Sequence, residues 1–153
     1  MLRKADINDI ERIKELYLIL DKDAELHQPE HFICHERPKE YIEEIIKSDN
    51  SDFLLIENEN KYVIGFSLVY EKESSNISLL KKQKYLYIQD FIIDNKSRRK
   101  GFGKILLDKS KEWGKIRGLE FLRLSCFPKN EIGINFYKKN GMIVMMETLE
   151  CEL

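Results

Sequence analysis

The sequence predicts one domain of the α/β (α+β) class, and three observations carry that prediction. Segments with apolar residues at helical spacing alternate with short runs rich in aromatic and β-branched residues. One such run, Tyr85 to Ile93, leads through a basic, glycine-containing turn straight into a helical pattern. The length, 153 residues, suffices for a single core and leaves no room for a second, so residues 1–153 are expected to form one domain.

In chain order, Asp6 or Asn8 can cap a first helix whose apolar positions are Ile10, Ile13, Leu16, Tyr17 and Leu20. A second helix starts at Pro38, continues through Tyr41, Ile42, Ile45 and Ile46, and ends at Ser48-Asp49-Asn50. Phe53 to Ile56 and Tyr62 to Tyr70 read as two strands joined by the polar turn Glu57 to Asn60. Lys72 to Lys84 is polar apart from Ile77, Leu79 and Leu80 and is predicted to be a mobile loop. Tyr85 to Ile93 is a buried strand that ends in the turn Asp94-Asn95-Lys96-Ser97. From Gly101 onward, Phe102, Ile105, Leu106 and Trp113 recur at helical spacing. Phe121 to Cys126 alternates as a strand, Asn130 to Lys139 is helical and stopped by Gly141, and Met142 to Leu149 is expected to be a closing strand.

Charge excludes some functions. Twenty-six basic residues balance 27 acidic ones, so no global basic field invites nucleic acid. The positive charge is local, at Lys96 to Lys104, which suits one anionic ligand better than a duplex backbone. No apolar run approaches a membrane span and the first residues are charged, so a cytoplasmic location without membrane association is expected. Cys34, Cys126 and Cys151 are odd in number and widely spaced, as free thiols are. Cys126 is read as a buried structural thiol in a core strand rather than a nucleophile. His27, His31 and His35 recur every four residues beside Cys34, but Pro29 interrupts any helix that would align them, and no metal is expected.

The chemistry is concentrated in two segments. In Arg98-Arg99-Lys100-Gly101-Phe102-Gly103-Lys104 two glycines lie in the first turn of a helix. They let a ligand approach the backbone closely, while the unpaired first N–H groups and the helix dipole attract phosphate. The spacing is neither that of a dinucleotide fingerprint nor that of a P-loop. It resembles the R-x-x-G-x-G/A signature of the GCN5-related N-acetyltransferases (GNAT). The second segment, Asn130 to Met142, resembles the same family's N-x-x-A-x-x-F-Y-x-K-x-G-F pattern. The opening from Leu2 to Leu20 is similar to the family's first strand and helix, so the resemblance covers nearly the whole chain.

The resemblance implies the GNAT fold: a twisted, mostly antiparallel mixed sheet, flanked by helices on both faces and splayed at its centre between the parallel strands Tyr85 to Ile93 and Phe121 to Cys126. It also implies direct acetyl transfer from acetyl-CoA, as co-substrate, to an acceptor amine. The backbone of Arg99, Lys100, Gly101, Phe102, Gly103 and Lys104 would hold the pyrophosphate, with Arg98 and the other basic side chains adding charge. The pantetheine arm would pair with Phe91, Ile92 and Ile93 like an added strand and meet Asn130 and Phe136. A backbone N–H near Ile92 would hold the oxyanion, Tyr137 would protonate the leaving thiolate, and Lys139 would meet the ribose phosphate or lie at the surface.

For the general base, the run Tyr87 to Ile93 resembles the Y-x-E-D-F/L-x-V stretch of family members that acetylate polyamines and other small amines. Gln89 stands where those have Glu and cannot act as a base. Asp90 remains, as base directly or through water, or as a hydrogen-bonding structural group. Asn95, Gly133 and Met142 replace the family's frequent Pro, Ala and Phe and touch no reacting group. The segment after the first helix, with Glu25, His27, Glu30 and Glu36, is acidic enough to attract a cationic amine and, with Gln89 and Asp90, forms the expected acceptor side. A small-molecule amine is therefore the expected acceptor. A protein N-terminus or lysine, and a non-catalytic acyl-CoA sensor, are the alternatives. Homodimers are common in the family.

Overall fold

The computed structural model describes residues 1–153. It contains β1 (Leu2–Lys4), α1 (Ile10–His27), α2 (Lys39–Ile46), β2 (Ser51–Glu57), β3 (Val63–Glu73), β4 (Lys84–Ile93), α3 (Phe102–Ile116), β5 (Leu122–Leu124) and α4 (Glu131–Lys139). The five strands lie side by side in sequence order, antiparallel from β1 to β4, with β5 parallel to β4. No helix is long and apolar enough to cross a membrane.

Both faces of the sheet are covered, which explains why Phe53 to Ile56 reads as an unbroken apolar run. Phe53 and Leu55 pack with Phe66, Leu68 and Ile92 against Ile13, Leu16 and Tyr17 of α1 and Ile42 and Ile45 of α2. Leu54 and Ile56 point the other way and join Leu86, Ile88 and Ile93 against Leu106, Leu107 and Trp113 of α3. A 3₁₀ turn, Ile7–Asp9, leads into α1 and is fixed by a reciprocal cap in which Asp6 accepts from the Asn8 N–H and Asp9 accepts from the Asp6 N–H, both at 2.8 Å. Arg3 then clamps Asp9 with two hydrogen bonds, at 2.7 and 2.8 Å, and Glu57 with a third at 2.7 Å, tying β1, α1 and β2 together.

Several expectations need correction. The first helix runs seven residues past Leu20, to His27, because nothing between them stops it before Gln28 and Pro29. The strands flanking the polar loop extend to Glu73 and from Lys84, leaving Ser74 to Gln83 as the loop. Ile132, at helical spacing from Phe136 on α4, is nonetheless exposed. The strand expected at Phe121 to Cys126 is only Leu122–Leu124, so Cys126 lies in the following loop, half-buried. Met142 to Leu149 forms no strand. With nothing paired beyond it, β5 is the sheet's edge rather than a central strand.

Candidate active site

β4 carries an irregularity that shapes the site. Its register against β3 shifts between the pairs Leu68↔Asp90 and Val69↔Ile88, so Ile88 and Gln89 together occupy one step of β3. The side-chain alternation slips accordingly. Leu86 and Ile88 face α3, then Phe91 and Ile93 do, while Asp90 and Ile92 turn to the α1 side.

The backbone follows the same shift. Ahead of the bulge the Leu86 N–H donates to Phe121 on the β5 side at 2.9 Å; after it, the Asp94 N–H donates to Ile64 of the β3 hairpin at 2.8 Å. Alternation from Asp94 points the N–H groups of Asp90 and Ile92 at β3 and those of Phe91 and Ile93 away from it. The β4–β5 ladder spans only Leu86 to Ile88, so Phe91 and Ile93 face an open cleft. The oxyanion donor expected at Ile92 is therefore committed to the sheet, and Phe91 and Ile93 present the free edge. Arg98 closes the far end of this edge: its Nε donates to the Ile93 carbonyl at 2.8 Å and its Nη2 binds Asp23 at 2.7 Å.

Beyond β4 the chain makes a short 3₁₀ turn, Asn95–Ser97, capped by Asp94, and enters α3 with Arg99 (φ 62°) and Gly101 (φ 87°) both left-handed. The six N–H groups from Arg99 to Lys104 make no hydrogen bond within the protein; the first to do so is Ile105, to Gly101 at 3.3 Å. Consecutive free donors around left-handed residues form an anion-binding concavity at the positive end of a helix. Arg98 and Lys104, expected to add charge here, are engaged with Asp23 and Asp108, the latter at 2.5 Å, while Arg99 and Lys100 are unpaired. Gly103 lies under the Phe136 ring, where a Cβ would stand 3.4 Å from Cζ, so glycine brings α3 and α4 together beside the concavity.

On α4, the Asn130 Oδ1 caps the helix by accepting from Gly133 at 3.0 Å, and its amide nitrogen is uncommitted. Gly141 (φ 85°) ends the helix with the Met142 N–H bonded to Tyr137 and its own to Lys138. Tyr137 packs against Phe91 and Phe136, with ring centroids at 6.2 and 5.2 Å. Its hydroxyl has no protein partner, and burial, aided by nearby Cys126, holds the phenol well above its ordinary range. Burial also pushes up the Cys126 thiol, which suits the structural reading rather than a thiolate nucleophile. Lys139 is exposed and unpaired in the last turn of α4.

On the acceptor side, one Asp90 oxygen accepts from the Tyr17 hydroxyl at 2.9 Å, and the other makes no protein hydrogen bond. Burial raises the Asp90 carboxyl, against the lowering effects of Tyr17 and Arg37. The phenols of Tyr41 and Tyr70 belong to the same group, each held up by burial and the Asp90 charge, Tyr70 to about 12. Lys72 lies over the Tyr87 ring at 4.0 Å and within 5.8 Å of the Tyr70 ring. Sequence reasoning missed Tyr17, Tyr41, Tyr70 and Tyr87, which helical or alternate-strand spacing assigns to ordinary packing.

The acidic segment is less anionic than expected, since Asp21 pairs with Arg37, Asp23 with Arg98 and Glu36 with Lys14. Glu25 is exposed and unpaired, and His27 leans on Phe127 at 6.3 Å. Gln89 is exposed at the bulge. His31 is engaged with Glu150 at 2.8 Å, and no group of three or more His, Cys, Asp or Glu is arranged to hold a metal ion.

Comparison with known proteins places this arrangement. Residues 14–142 match the family model described as Acetyltransferase (GNAT) family. The chain is 30% identical over 101 residues to MJ1207, an uncharacterized N-acetyltransferase of Methanocaldococcus jannaschii; the match covers 66% of this chain but 43% of that protein. A tetramutant of the BH1408 protein from Bacillus halodurans has a similar structure, with TM-score 0.94 at 19% identity, covering 100% of this chain and 99% of that one. The aminoglycoside N-acetyltransferase AAC(6')-Iy in complex with CoA superposes with TM-score 0.75 at 15% identity, covering 100% and 98% of the two chains.

Proposed function

The chain belongs to the acetyltransferase (GNAT) family, and we propose that it moves an acetyl group from acetyl-CoA directly to a primary amine of a small cationic molecule. The observation that carries this reading is the run of six unpaired N–H groups, Arg99 to Lys104, beside the unpaired edge of β4. The first suits a pyrophosphate, the second an amide-bearing arm. CoA seated on the AAC(6')-Iy enzyme of the same fold agrees with it.

The reaction then proceeds through this chain's own groups. The free oxygen of Asp90 takes a proton from the acceptor ammonium; a carboxyl raised by burial is a better base than an ordinary one. The neutral amine adds to the thioester carbonyl carbon, and the N–H of Phe91 or Ile93 donates to the oxyanion. As the intermediate collapses the C–S bond breaks, and Tyr137, kept protonated by burial, gives its proton to the departing thiolate; the extra proton on the new amide nitrogen then returns to the Tyr137 phenolate, and Asp90 releases to solvent the one it took. The phenols beside Asp90 and the ring faces of Tyr70 and Tyr87, which already attract the Lys72 ammonium, suit a cationic acceptor. The aminoglycoside enzyme among the structural relatives supports a multiply charged amine.

The test is release of CoA thiol from acetyl-CoA with polyamines, amino acids, aminoglycosides and short peptides, run beside Tyr137→Phe. Turnover with a small amine class, cut at least ~100-fold in the variant without loss of CoA binding, is the expected result. Turnover with peptides alone would replace the acceptor assignment, and CoA binding without turnover on any amine would replace catalysis with sensing.

A further inference from the structure

The face of the sheet that carries Asp90 continues away from it as a row of rings and cations. In the β3–β4 ladder Tyr70 stands opposite Tyr87 and Lys72 opposite Tyr85, and in the β4–β5 ladder Tyr87 stands opposite Arg123. Paired residues share a face of the sheet. Leu86, Ile88, Leu122 and Leu124 fill the α3 side, so the residues that alternate with them lie on the Asp90 side.

Two cations in that row are short of anionic partners. The Arg123 guanidinium lies over the stacked rings of Tyr85 and Phe121, 4.9 and 5.0 Å from their centroids, and its buried Nε has no hydrogen-bond partner. The Lys72 ammonium rests on the Tyr87 ring at 4.0 Å. The carboxylates beside Lys72 in β3 are engaged elsewhere, Glu71 by Lys84 and Arg117 and Glu73 by Lys84. A guanidinium oriented by two rings, with an orphaned buried donor and an ammonium over the neighbouring ring, suits a planar carboxylate. Position sets its distance from the reacting amine. Asp90 is opposite Leu68 and Tyr87 opposite Tyr70, two residues along β3, so the cations begin roughly 7 Å from the base. An extended chain covers that distance in about six bonds. The amine and carboxylate of an α-amino acid are too close together to span it, whereas the ε-amine and carboxylate of lysine match it.

Resting on the acetyl transfer proposed above, with Asp90 as base, we propose that the acceptor is a diamino acid of about lysine's length. It is acetylated at the amine remote from its carboxylate, and that carboxylate is held between Arg123 and Lys72. Such a molecule keeps a net positive charge. Its second ammonium falls near the ring faces of Tyr70 and Tyr87, where Lys72 shows that a cation is held.

The test is acetyl transfer from acetyl-CoA to lysine against 1,5-diaminopentane, the same chain without the carboxylate, with the Arg123 Nε–H signal followed by NMR as each is added. Lysine should be the better substrate by at least about tenfold in kcat/KM, should be acetylated on its ε-nitrogen, and should shift the Arg123 signal where 1,5-diaminopentane does not. Arg123→Gln should bring the two amines to within about threefold of each other, through a higher KM for lysine. Lys72→Met should narrow the gap in the same way, and it supplies the reading if Arg123→Gln does not fold. Equal or better turnover of 1,5-diaminopentane, acetylation on the α-nitrogen, or a preference that both variants leave intact would overturn the inference while acetyl transfer stands. Acetylation of other amines with neither of these two used would do the same. Should no amine be acetylated, the proposed activity itself fails, and the Arg123 signal decides the site alone: a shift with lysine supports a carboxylate there, and no shift overturns it.

Discussion

Gly65→Ala is a sensitive probe of how the cleft edge of β4 is positioned. Gly65 sits opposite Ile93 in the ladder, and a Cβ there would stand 2.4 Å from the Ile92 carbonyl oxygen, 2.7 Å from Ile93 Cδ1 and 3.2 Å from Ile93 Cα. The Ile93 methyl can swing aside, but the carbonyl belongs to the backbone and cannot. Restoring ordinary contact needs β3 and β4 to part by roughly 1 Å, given favourable heavy-atom separations of about 3.5–4.0 Å. Overpacking of this kind costs about 1–3 kcal/mol. Stretching the neighbouring ladder bonds, including Asp94 to Ile64 at 2.8 Å, adds about 1 kcal/mol. Relief of glycine's backbone entropy returns about 0.5–1 kcal/mol. A net loss of about 2 kcal/mol, or about 4–8 °C in Tm at this size, follows. Urea melts supply the first number, and CoA titration of the folded variant should show affinity at least severalfold weaker because Phe91 and Ile93 are displaced. A loss below about 1 kcal/mol with unchanged CoA affinity would refute this account of the edge.

Gly103→Ala should be close to neutral: its Cβ would meet only the Phe136 ring at 3.4 Å and the family signature takes either Gly or Ala there, so stability should move by less than about 1 kcal/mol and CoA affinity, read by calorimetry, by less than about fivefold; a larger loss of affinity would refute this account of the α3–α4 contact. Asp90→Asn should abolish most turnover yet stabilise the protein at pH 7. Burial raises the Asp90 carboxyl in the folded state, so its protonated form's contribution is fully present below the unfolded pKa of about 3.9 and lost as pH rises through the folded value. Asn can still accept from Tyr17, so melts should show the variant's advantage at pH 7 shrinking as pH falls towards 4; equal stabilities at every pH would refute the buried-charge reading.

Much of the fold was legible because its segments are locally consistent. The strand from Tyr85 to Ile93, the turn at Asp94 and the helix from Phe102 form one unit whose aromatic, turn and glycine residues all agree with the structure. Asn130 and Gly141 likewise mark the ends of α4 as their chemistry requires. The bulge at Gln89 was not legible, since it depends on register with β3 and no residue type announces it. That one-residue shift moved the free N–H from Ile92 to its neighbours and set Asp90 against Tyr17, 73 residues away. Arg98 was assigned to the ligand for the same reason: its carbonyl partner at Ile93 exists only once β4 parts from β5. The tail failed as a strand because propensity needs a partner, and residues 142–149 pair with no other strand.

The most direct test of the central claim is amide hydrogen exchange at residue resolution, with and without CoA. Without ligand, the N–H groups of Arg99 to Lys104, having no protein acceptor, should exchange rapidly. Saturating CoA should slow these six, together with Phe91 or Ile93, and leave Ile92 as it was, because its N–H is already bound to β3. Tight CoA binding with the 99–104 amides still exchanging freely would contradict the assignment of that segment as the pyrophosphate cradle.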